Sequence, residues 1–317
     1  MSPETSALID SINVNLNQSG MTILNIVLAF VMFGVALGIK PQTFKDVFTK
    51  PKSVILGVVC QLFLLPLLTF LLAIAMGNWI SPMIALGMIL VASCPGGNIS
   101  NFMSSLSKAN TELSVSLTAI STSLAVFTTP MNFSLWGSLY LKFANAHMTD
   151  VPQLVIPFWE VFNTIIILLG IPLVLGMLCA HYMPKFAQKL QKPLQVLSIA
   201  FFVLMVVLAF SNNIDAFLKC IKYIFVIVLI HNLLALLIGY SVGTAFRLPY
   251  KDRRTLTIET GIQNSGLGLV LLFNPAIFDA TWANNGGMVV ITAWWGIWHI
   301  ISGLTVSYLF LHSRHKH

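Results

Sequence analysis

Long runs of apolar residues, separated by short polar joints, repeat along almost the whole chain. Each run is close to the length of about 20 residues that an α-helix needs to cross the hydrocarbon of a bilayer. The joints carry Lys, Pro or Gly. The pattern predicts nine membrane-spanning helices, at residues 21–39, 53–76, 81–107, 111–136, 154–180, 194–211, 222–245, 255–275 and 287–311.

Residues 1–20 precede the first apolar run and contain Glu4, Asp10 and several Asn and Ser residues. This segment is too polar to span a bilayer, and it lacks the basic start of a signal peptide. We interpret it as a short non-spanning leader. A single transmembrane unit is expected to follow over residues 21–317.

Composition supports this interpretation. Apolar residues make up 57% of the 317 residues and charged residues only 9%, an amount of apolar surface that one soluble core cannot bury. We therefore predict an all-α polytopic membrane protein in contact with the lipid bilayer.

Positive charge is distributed unevenly between the two sides of the predicted helices. Alternation through nine spans places 14 Lys and Arg residues on one side and three, Lys142, Lys219 and Lys222, on the other. Since cationic loops stay cytoplasmic, the N-terminus is expected outside the plasma (inner) membrane and the C-terminus in the cytoplasm. The net charge of +7 then reflects topology. There is no basic stripe for nucleic acid, and nothing implies a protein partner.

Two predicted helices contain residues that disfavour a continuous helix. The third contains Pro95, Gly96 and Gly97, and the eighth contains Gly261 and Gly266 within ETGIQNSGLG. Proline removes a backbone donor, and glycine weakens helical preference. Irregular backbone survives in a membrane only where protein or water satisfies its polar groups. We predict two discontinuous helices that cross near the midplane.

Polar side chains follow both breaks directly. Asn98 or Ser100 would cap one second half-helix, and Asn264 or Ser265 the other. The N-terminus of a half-helix carries partial positive charge that suits an anion, whereas freed carbonyls suit a cation. We expect an anion to face the two half-helix N-termini, at Asn98, Ile99, Asn264 and Ser265.

Each predicted broken helix is followed by one further span that ends its half of the chain. Residues 21–141, with four spans, and residues 154–311, with five, are thus predicted to be two versions of one unit, the first lacking its leading helix. An inverted repeat of this kind is suited to alternating access around a central site.

Three segments of the chain carry a family resemblance: VCQLFLLPLLTF, SCPGGNISNFMSSLSKANTELSVSLTAISTS and RRTLTIETGIQNSGLGLVLLF. They resemble the bile acid:sodium symporter family over nearly the whole chain, in motif order and span count. Well-studied bacterial members have ten spans, whereas nine spans and an outside N-terminus resemble the mammalian carriers. Asn98 matches the hepatic pattern, where many bacterial members have Thr.

The resemblance implies two sodium ions. The first site would use Ser100, Asn101, Ser114, Thr118 and Glu259. The second would use Gln61, Glu259, Gln263 and the main-chain carbonyls of Thr260 and Ile262. All of these groups offer oxygen atoms, which hard cations prefer. Two cations beside Glu259 would compensate its charge within an apolar run.

The predicted function is a sodium-coupled secondary active symporter that imports an organic anion, such as a bile acid, by alternating access. One open alternative is proton coupling, with Glu259 as the titrating group. Another is a carrier of a small carboxylate such as pantoate or a keto acid. Taken alone, Gln61, Ser114 and Thr118 would also suit helix–helix or same-helix hydrogen bonds. An enzyme is not expected, because neither HExxH nor GxSxG occurs.

Overall fold

Helices account for nearly all of the regular structure in the part of the chain described. The computed structural model is described over residues 3–11, 18–39, 51–148, 151, 154–211, 214–274, 277–278, 282 and 284–313. The helices are α1 (Pro3–Asp10), α2 (Gln18–Ala36), α3 (Pro51–Trp79), α4 (Pro82–Ser93), α5 (Ile99–Leu106), α6 (Thr111–His147), α7 (Phe158–Tyr182), α8 (Pro184–Ser211), α9 (Ile214–Ala245), α10 (Tyr250–Gly261), α11 (Ser265–Leu272) and α12 (Gly286–His312).

Five of these helices are long and apolar enough to cross a membrane, on length and composition: α3, α6, α7, the Leu218–Ala245 part of α9, and α12. Two shorter apolar helices, Asn25–Ala36 and Pro82–Ser93, accompany them. Over the described ranges the chain contains no β-strand. The prediction of an all-α membrane protein is confirmed at this level.

Some helices are longer than the predicted spans. α6 continues to His147, although the sequence predicts an end at 136, and Pro130 lies inside it. Tyr140 in the added stretch is fully buried, so tertiary packing holds the helix together beyond the proline. α8 similarly includes the polar residues 184–193 before its apolar part.

A π-helical turn interrupts α3 at Cys60–Leu64, directly before Pro66. Because proline lacks an N–H group, the carbonyl of Leu62 cannot receive the usual bond from four residues ahead. The side chain of Asn132 on α6 donates to that carbonyl at 2.8 Å. Asn132 thus satisfies a group freed by a proline on another helix.

The two interrupted helices have matching proportions. In each, a half of 12 residues (α4 and α10) precedes a half of 8 residues (α5 and α11). The breaks pair as a short antiparallel bridge between Gly96 and Gln263. On either side of this bridge, Asn264 N–H donates to Pro95 O at 2.8 Å and Gly97 N–H donates to Ile262 O at 2.9 Å. The predicted interruptions are confirmed, and each supplies main-chain bonds to the other.

The leader contains the short helix α1, which packs on α12 and α9. Ile9 is fully buried, and Asp10 accepts a hydrogen bond from Ser81 Oγ at 2.8 Å. A Cβ atom at Gly287 would collide with Asp10 Oδ1. The Asp10 carboxylate therefore lies at the N-termini of both α4 and α12, where negative charge is favoured.

Candidate ion and substrate site

The carboxylate of Glu259 lies on the last turn of α10, beside the crossing of the two broken helices. Glu259 is only 3% exposed. Ser100 Oγ on α5 donates to Oε1 at 2.6 Å, and Ser114 Oγ on α6 donates to the same atom. Thr118 Oγ1, one turn further along α6, donates to Oε2 at 3.1 Å. Three hydroxyl groups from two other helices thus converge on one buried acid.

Asn101 adds a further oxygen to this group. Its Oδ1 lies 2.9 Å from Ser114 Oγ and 3.3 Å from Thr118 Oγ1. Each hydroxyl carries one proton, yet each has both Asn101 Oδ1 and Glu259 within reach. The cluster therefore contains more acceptor oxygens than hydroxyl protons, a composition that suits a hard cation.

A second polar group lies next to the first at the crossing, around Gln61 in the π-helical turn. The Gln61 and Gln263 side chains are in contact, and the terminal amide group of Gln61 lies 2.8 Å from Gln263 Oε1. With its amide oriented to satisfy both ends, Gln61 donates to the main-chain carbonyl of Glu259 at 2.9 Å and accepts from Gly96 N–H at 3.0 Å. Both glutamines are less than 5% exposed. The break between α4 and α5, the π-helical turn of α3 and the end of α10 therefore meet at these two side-chain amides.

The main-chain carbonyls expected at the second sodium site are already engaged. The carbonyl of Thr260 accepts from Gln263 Nε2 at 2.9 Å, and that of Ile262 accepts from Gly97 N–H at 2.9 Å. A carbonyl oxygen has two lone pairs, so each retains one for a further partner. The structure brings Gln61, Gln263 and the Thr260 carbonyl together, while the Ile262 carbonyl forms part of the crossing.

The residues expected to bind substrate follow the two breaks but differ in burial. Asn98 is exposed, Ile99 and Asn264 are half-buried, and Ser265 is buried. Asn264 caps α11 by accepting from Leu267 N–H at 3.0 Å, which confirms the predicted cap.

The cap predicted for α5 is wrong. Asn98 occupies the N-cap position without a side-chain cap bond, and the Ser100 hydroxyl bonds to Glu259 instead. The main chain tightens at this point, with Ser100 N–H donating to Gly97 O at 3.0 Å and Asn101 N–H to Asn98 O at 3.3 Å. These short-range bonds replace a side-chain cap and leave the Asn98 amide on the surface.

Sequence reasoning missed two polar residues that support the crossing. Asn232 on α9, which is 1% exposed, donates from Nδ2 to the carbonyl of Gly261 at 2.8 Å, where α10 ends. Ser121 Oγ accepts from Gly96 N–H at 3.4 Å. Ser121 continues the face of Ser114 and Thr118 at helical spacing, a signal that could have revealed it. Asn232 lies in an apolar run with only His231 beside it, and no polar residues at helical spacing pointed to it.

Comparison with known proteins gives a consistent result. A model of the Sodium Bile acid symporter family matches residues 25–220. The uncharacterized sodium-dependent transporter YocS of Bacillus subtilis (strain 168) is 32% identical over 280 residues, covering 86% of this chain and 82% of the relative.

Mammalian carriers match as well. The ileal sodium/bile acid cotransporter of Oryctolagus cuniculus is 30% identical over 78% of this chain and 67% of its own length. Sodium/bile acid cotransporter 5 of Rattus norvegicus is 29% identical over 85% of this chain, which spans 59% of that relative. With a family model covering more than half of its residues and relatives that share most of its length, this chain belongs to the sodium bile acid symporter family.

Proposed function

We propose that this protein is a sodium-coupled secondary active symporter that imports an organic anion by alternating access. The observation that carries the proposal is the set of hydroxyl oxygens from Ser100, Ser114 and Thr118 around the Glu259 carboxylate. A buried acid without a countercharge costs several kcal/mol. A sodium ion among these oxygens would compensate the charge and take up the surplus acceptors.

Two ions are proposed on either side of Glu259. The first would take oxygens from Ser100, Asn101, Ser114, Thr118 and Glu259. The second would take oxygens from Gln61, Glu259 and Gln263, with the main-chain carbonyls of Thr260 and Ile262. The contact of the two glutamines with the end of α10 supports this second position. No protein nitrogen or sulfur is needed as a ligand, as befits a hard cation.

The organic anion is proposed to bind where α5 and α11 begin, at Asn98, Ile99, Asn264 and Ser265. Two helix N-termini meeting at one crossing offer partial positive charge to a carboxylate or sulfonate. The exposed Asn98 and half-buried Asn264 remain accessible, while Ser265 is buried. A bile acid fits the named activity of the mammalian relatives. A small carboxylate such as pantoate or a keto acid is the alternative substrate.

We further propose nine membrane spans, with the N-terminus outside the plasma membrane, and an inverted repeat whose first copy lacks its leading helix. In this arrangement α4 with α5 forms the third span and α10 with α11 the eighth. The shared pattern of a 12-residue half followed by an 8-residue half supports the repeat. The asymmetry of 14 against 3 cationic residues supports the orientation.

The driving force is sufficient for accumulation. Two sodium ions entering with one monovalent anion carry one net charge, worth about 2.3 kcal/mol at 100 mV. Each tenfold sodium gradient adds roughly 1.4 kcal/mol per ion. The sum of about 5 kcal/mol supports a substrate ratio of some thousands across the membrane.

Proteoliposomes loaded with the full chain test the proposal. Glu259→Ala and Gln263→Ala are each expected to abolish sodium-stimulated uptake of a bile acid such as taurocholate, and of pantoate if that is the substrate, while leaving the protein folded. Ser123→Ala is the matched control, because Ser123 Oγ bonds only the Ala119 carbonyl of its own helix at 2.8 Å. Normal sodium-dependent uptake by both ion-site variants would refute the assignment.

Proton coupling is separated by a cation exchange. Replacing sodium by choline at fixed pH should stop uptake if sodium is the coupling ion. Uptake that survives this exchange and follows an imposed pH gradient would instead show proton coupling, the alternative in which Glu259 is the titrating group. The surplus of acceptor oxygens around Glu259 favours the first outcome, because a cation is shared among several oxygens whereas a proton joins only one.

A further inference from the structure

A second buried carboxylate lies on α10, at the end opposite the crossing. Asp252 is 5% exposed. Its Oδ2 accepts from Ser53 Oγ at 2.6 Å, and its Oδ1 accepts from Asn110 Nδ2 at 2.7 Å. Both donors are neutral and come from other parts of the chain. This residue takes no part in the ion site proposed above.

The partners of Asp252 belong to the elements that carry the proposed sodium ligands. Ser53 lies on α3, which also carries Gln61. Asn110 is the N-cap of α6, where its Oδ1 accepts from Leu113 N–H at 3.1 Å, and the same helix carries Ser114 one turn later. Asp252 itself stands seven residues before Glu259, which is two helical turns, or about 10.5 Å.

Further bonds tie the loop between α5 and α6 to α10. Asn110 N–H donates to the Lys251 carbonyl at 3.3 Å, and the Asn110 carbonyl accepts from Thr255 Oγ1 at 3.0 Å. Arg254 donates to the carbonyl of Ser107, where α5 ends, at 2.7 Å. Both ends of the loop are therefore held against the first two turns of α10.

We propose that Asp252 is a positioning residue for sodium binding. By holding Ser53 and Asn110 in one hydrogen-bonded group, it fixes α3 and α6 in register with α10. That register sets the separation of the Ser114 and Thr118 hydroxyls from the Glu259 carboxylate, two turns away. Ion sites tolerate errors of only about 0.5 Å in their ligands, so a clamp at the far end of the same helices controls sodium affinity. The inference rests on the proposed sodium site at Glu259.

An exchange of two side chains tests the clamp. In Asp252→Ala, Ser53 Oγ and Asn110 Nδ2 both lose their acceptor. The double exchange of Asp252→Asn with Asn110→Asp keeps the bond between these two positions with its direction reversed, because the carboxylate introduced at position 110 accepts from the amide at position 252 and still caps Leu113. The amide oxygen at position 252 still accepts from Ser53. Aspartate and asparagine are equally good N-caps.

The measurement is equilibrium binding of radioactive sodium to the detergent-solubilised full chain, without organic anion. Asp252→Ala is expected to raise the half-saturating sodium concentration about tenfold or more, and the double exchange to keep it within about threefold of wild type. Asp10→Ala is the matched control, because Asp10 also accepts from a serine hydroxyl but belongs to α1, beside the N-termini of α4 and α12. It should bind sodium as wild type does.

Several outcomes would overturn the clamp. One is wild-type sodium affinity in Asp252→Ala, with only the sodium-free melting temperature lowered, which is the result of a merely structural role. Another is a double exchange that binds as weakly as Asp252→Ala. If Asp252→Ala does not fold, Ser53→Ala replaces it, and unchanged affinity there refutes the clamp. Wild-type protein that binds no sodium, or Glu259→Ala that binds it normally, refutes the sodium site itself.

Discussion

Thr118 Oγ1 and Glu259 Oε2 lie 3.1 Å apart although 141 residues separate them in the chain. The contact joins a long continuous helix to the end of an interrupted one, and it excludes water from one side of a carboxylate. A cation beside the buried carboxylate, or a hydroxyl group that donates to it, stabilises its negative charge. Removing a hydroxyl group from this cluster should therefore weaken cation binding.

Ser114→Ala removes one hydroxyl from Glu259 and from Asn101. Losing a bond to a charged group costs about 1–3 kcal/mol, so the half-saturating sodium concentration is expected to rise by about 5- to 150-fold. Sodium titration of uptake or of thermal stability measures it. Ser123→Ala on the same helix, which loses only a bond to the Ala119 carbonyl, should leave the titration unchanged. Equal behaviour of the two variants would refute the assignment of Ser114.

Gly97→Ala places a methyl group at the crossing. The added Cβ would lie 3.0 Å from the Gln263 carbonyl oxygen and 3.3 Å from Ile262 Cγ2, and both belong to a segment fixed by main-chain bonds. Overpacking of this kind costs about 1–3 kcal/mol. We expect a lower melting temperature and the loss of most sodium-dependent uptake.

Gly170→Ala provides the comparison for that variant. Its Cβ would meet nothing closer than 3.5 Å, and it should retain uptake. Both variants can be followed in the same proteoliposome assay and by thermal denaturation in detergent. Full activity of Gly97→Ala would show that transport does not require Gly97 to stay in close contact with Gln263 and Ile262.

Asn132→Leu leaves the Leu62 carbonyl without its donor. The loss of a hydrogen-bond partner by a buried carbonyl lowers the free energy of unfolding by about 1–3 kcal/mol. This carbonyl belongs to the π-helical turn that carries Gln61, so the position of Gln61 should change as well. Reduced thermal stability and weaker sodium binding are expected. Thr128→Val on the same helix, where the hydroxyl bonds only the Leu124 carbonyl at 3.2 Å, should change neither property.

Adding Pro66→Ala to Asn132→Leu tests the reason for that bond. Alanine at 66 supplies the N–H group that proline lacks, so the Leu62 carbonyl regains a donor within its own helix. The double variant is expected to be more stable than the sum of the two single effects indicates. Simple additivity in a double-mutant cycle of melting temperatures would show that Asn132 acts in some other way.

The stability of the chain should depend on pH through Asp10. Burial raises the pKa of Asp10 from 3.8 to about 7, and the hydrogen bond from Ser81 opposes that rise. Between these values the folded protein binds the proton more tightly than the unfolded chain. The free energy of unfolding therefore falls as pH rises from about 4 to about 7, and it levels off above.

Asp10→Asn should flatten that slope and make the variant relatively more stable than wild type near pH 8. Melting temperatures in detergent across this range measure the difference. A wild-type profile that is flat, or one that Asp10→Asn leaves unaltered, would show that the group titrates normally.

The two interruptions could be located from the sequence because proline and glycine act on the local helix: Pro95, Gly96 and Gly97 in the first, and Gly261 and Gly266 in the second. How the breaks pair could not be predicted, since the bridge from Gly96 to Gln263 depends on tertiary structure. The cap at Asn264 followed from local preference and is confirmed. At Asn98 tight main-chain turns replaced the cap, and local preference failed.

Hydroxyl side chains show the same limit. Ser114 and Ser123 both lie on α6, yet one bonds Glu259 and the other bonds its own helix. Residue type does not separate these two cases. Helical spacing places Ser123 on the opposite face from Ser114, but only the family motif indicated from the sequence which face binds. Asp252 and Asn132 were missed for a related reason, because their partners lie far away in the chain.

The pairing of the two breaks has a consequence for biosynthesis. Pro95 emerges from the ribosome long before Asn264, yet the Pro95 carbonyl and the Gly97 N–H find their partners only in residues 262 to 264. Until then the first break holds polar main chain that lipid cannot satisfy. We therefore expect the translocon, an insertase or a chaperone to hold the nascent amino-terminal half until the carboxy-terminal half has been made. Expressed as separate polypeptides, neither half should mature without the other.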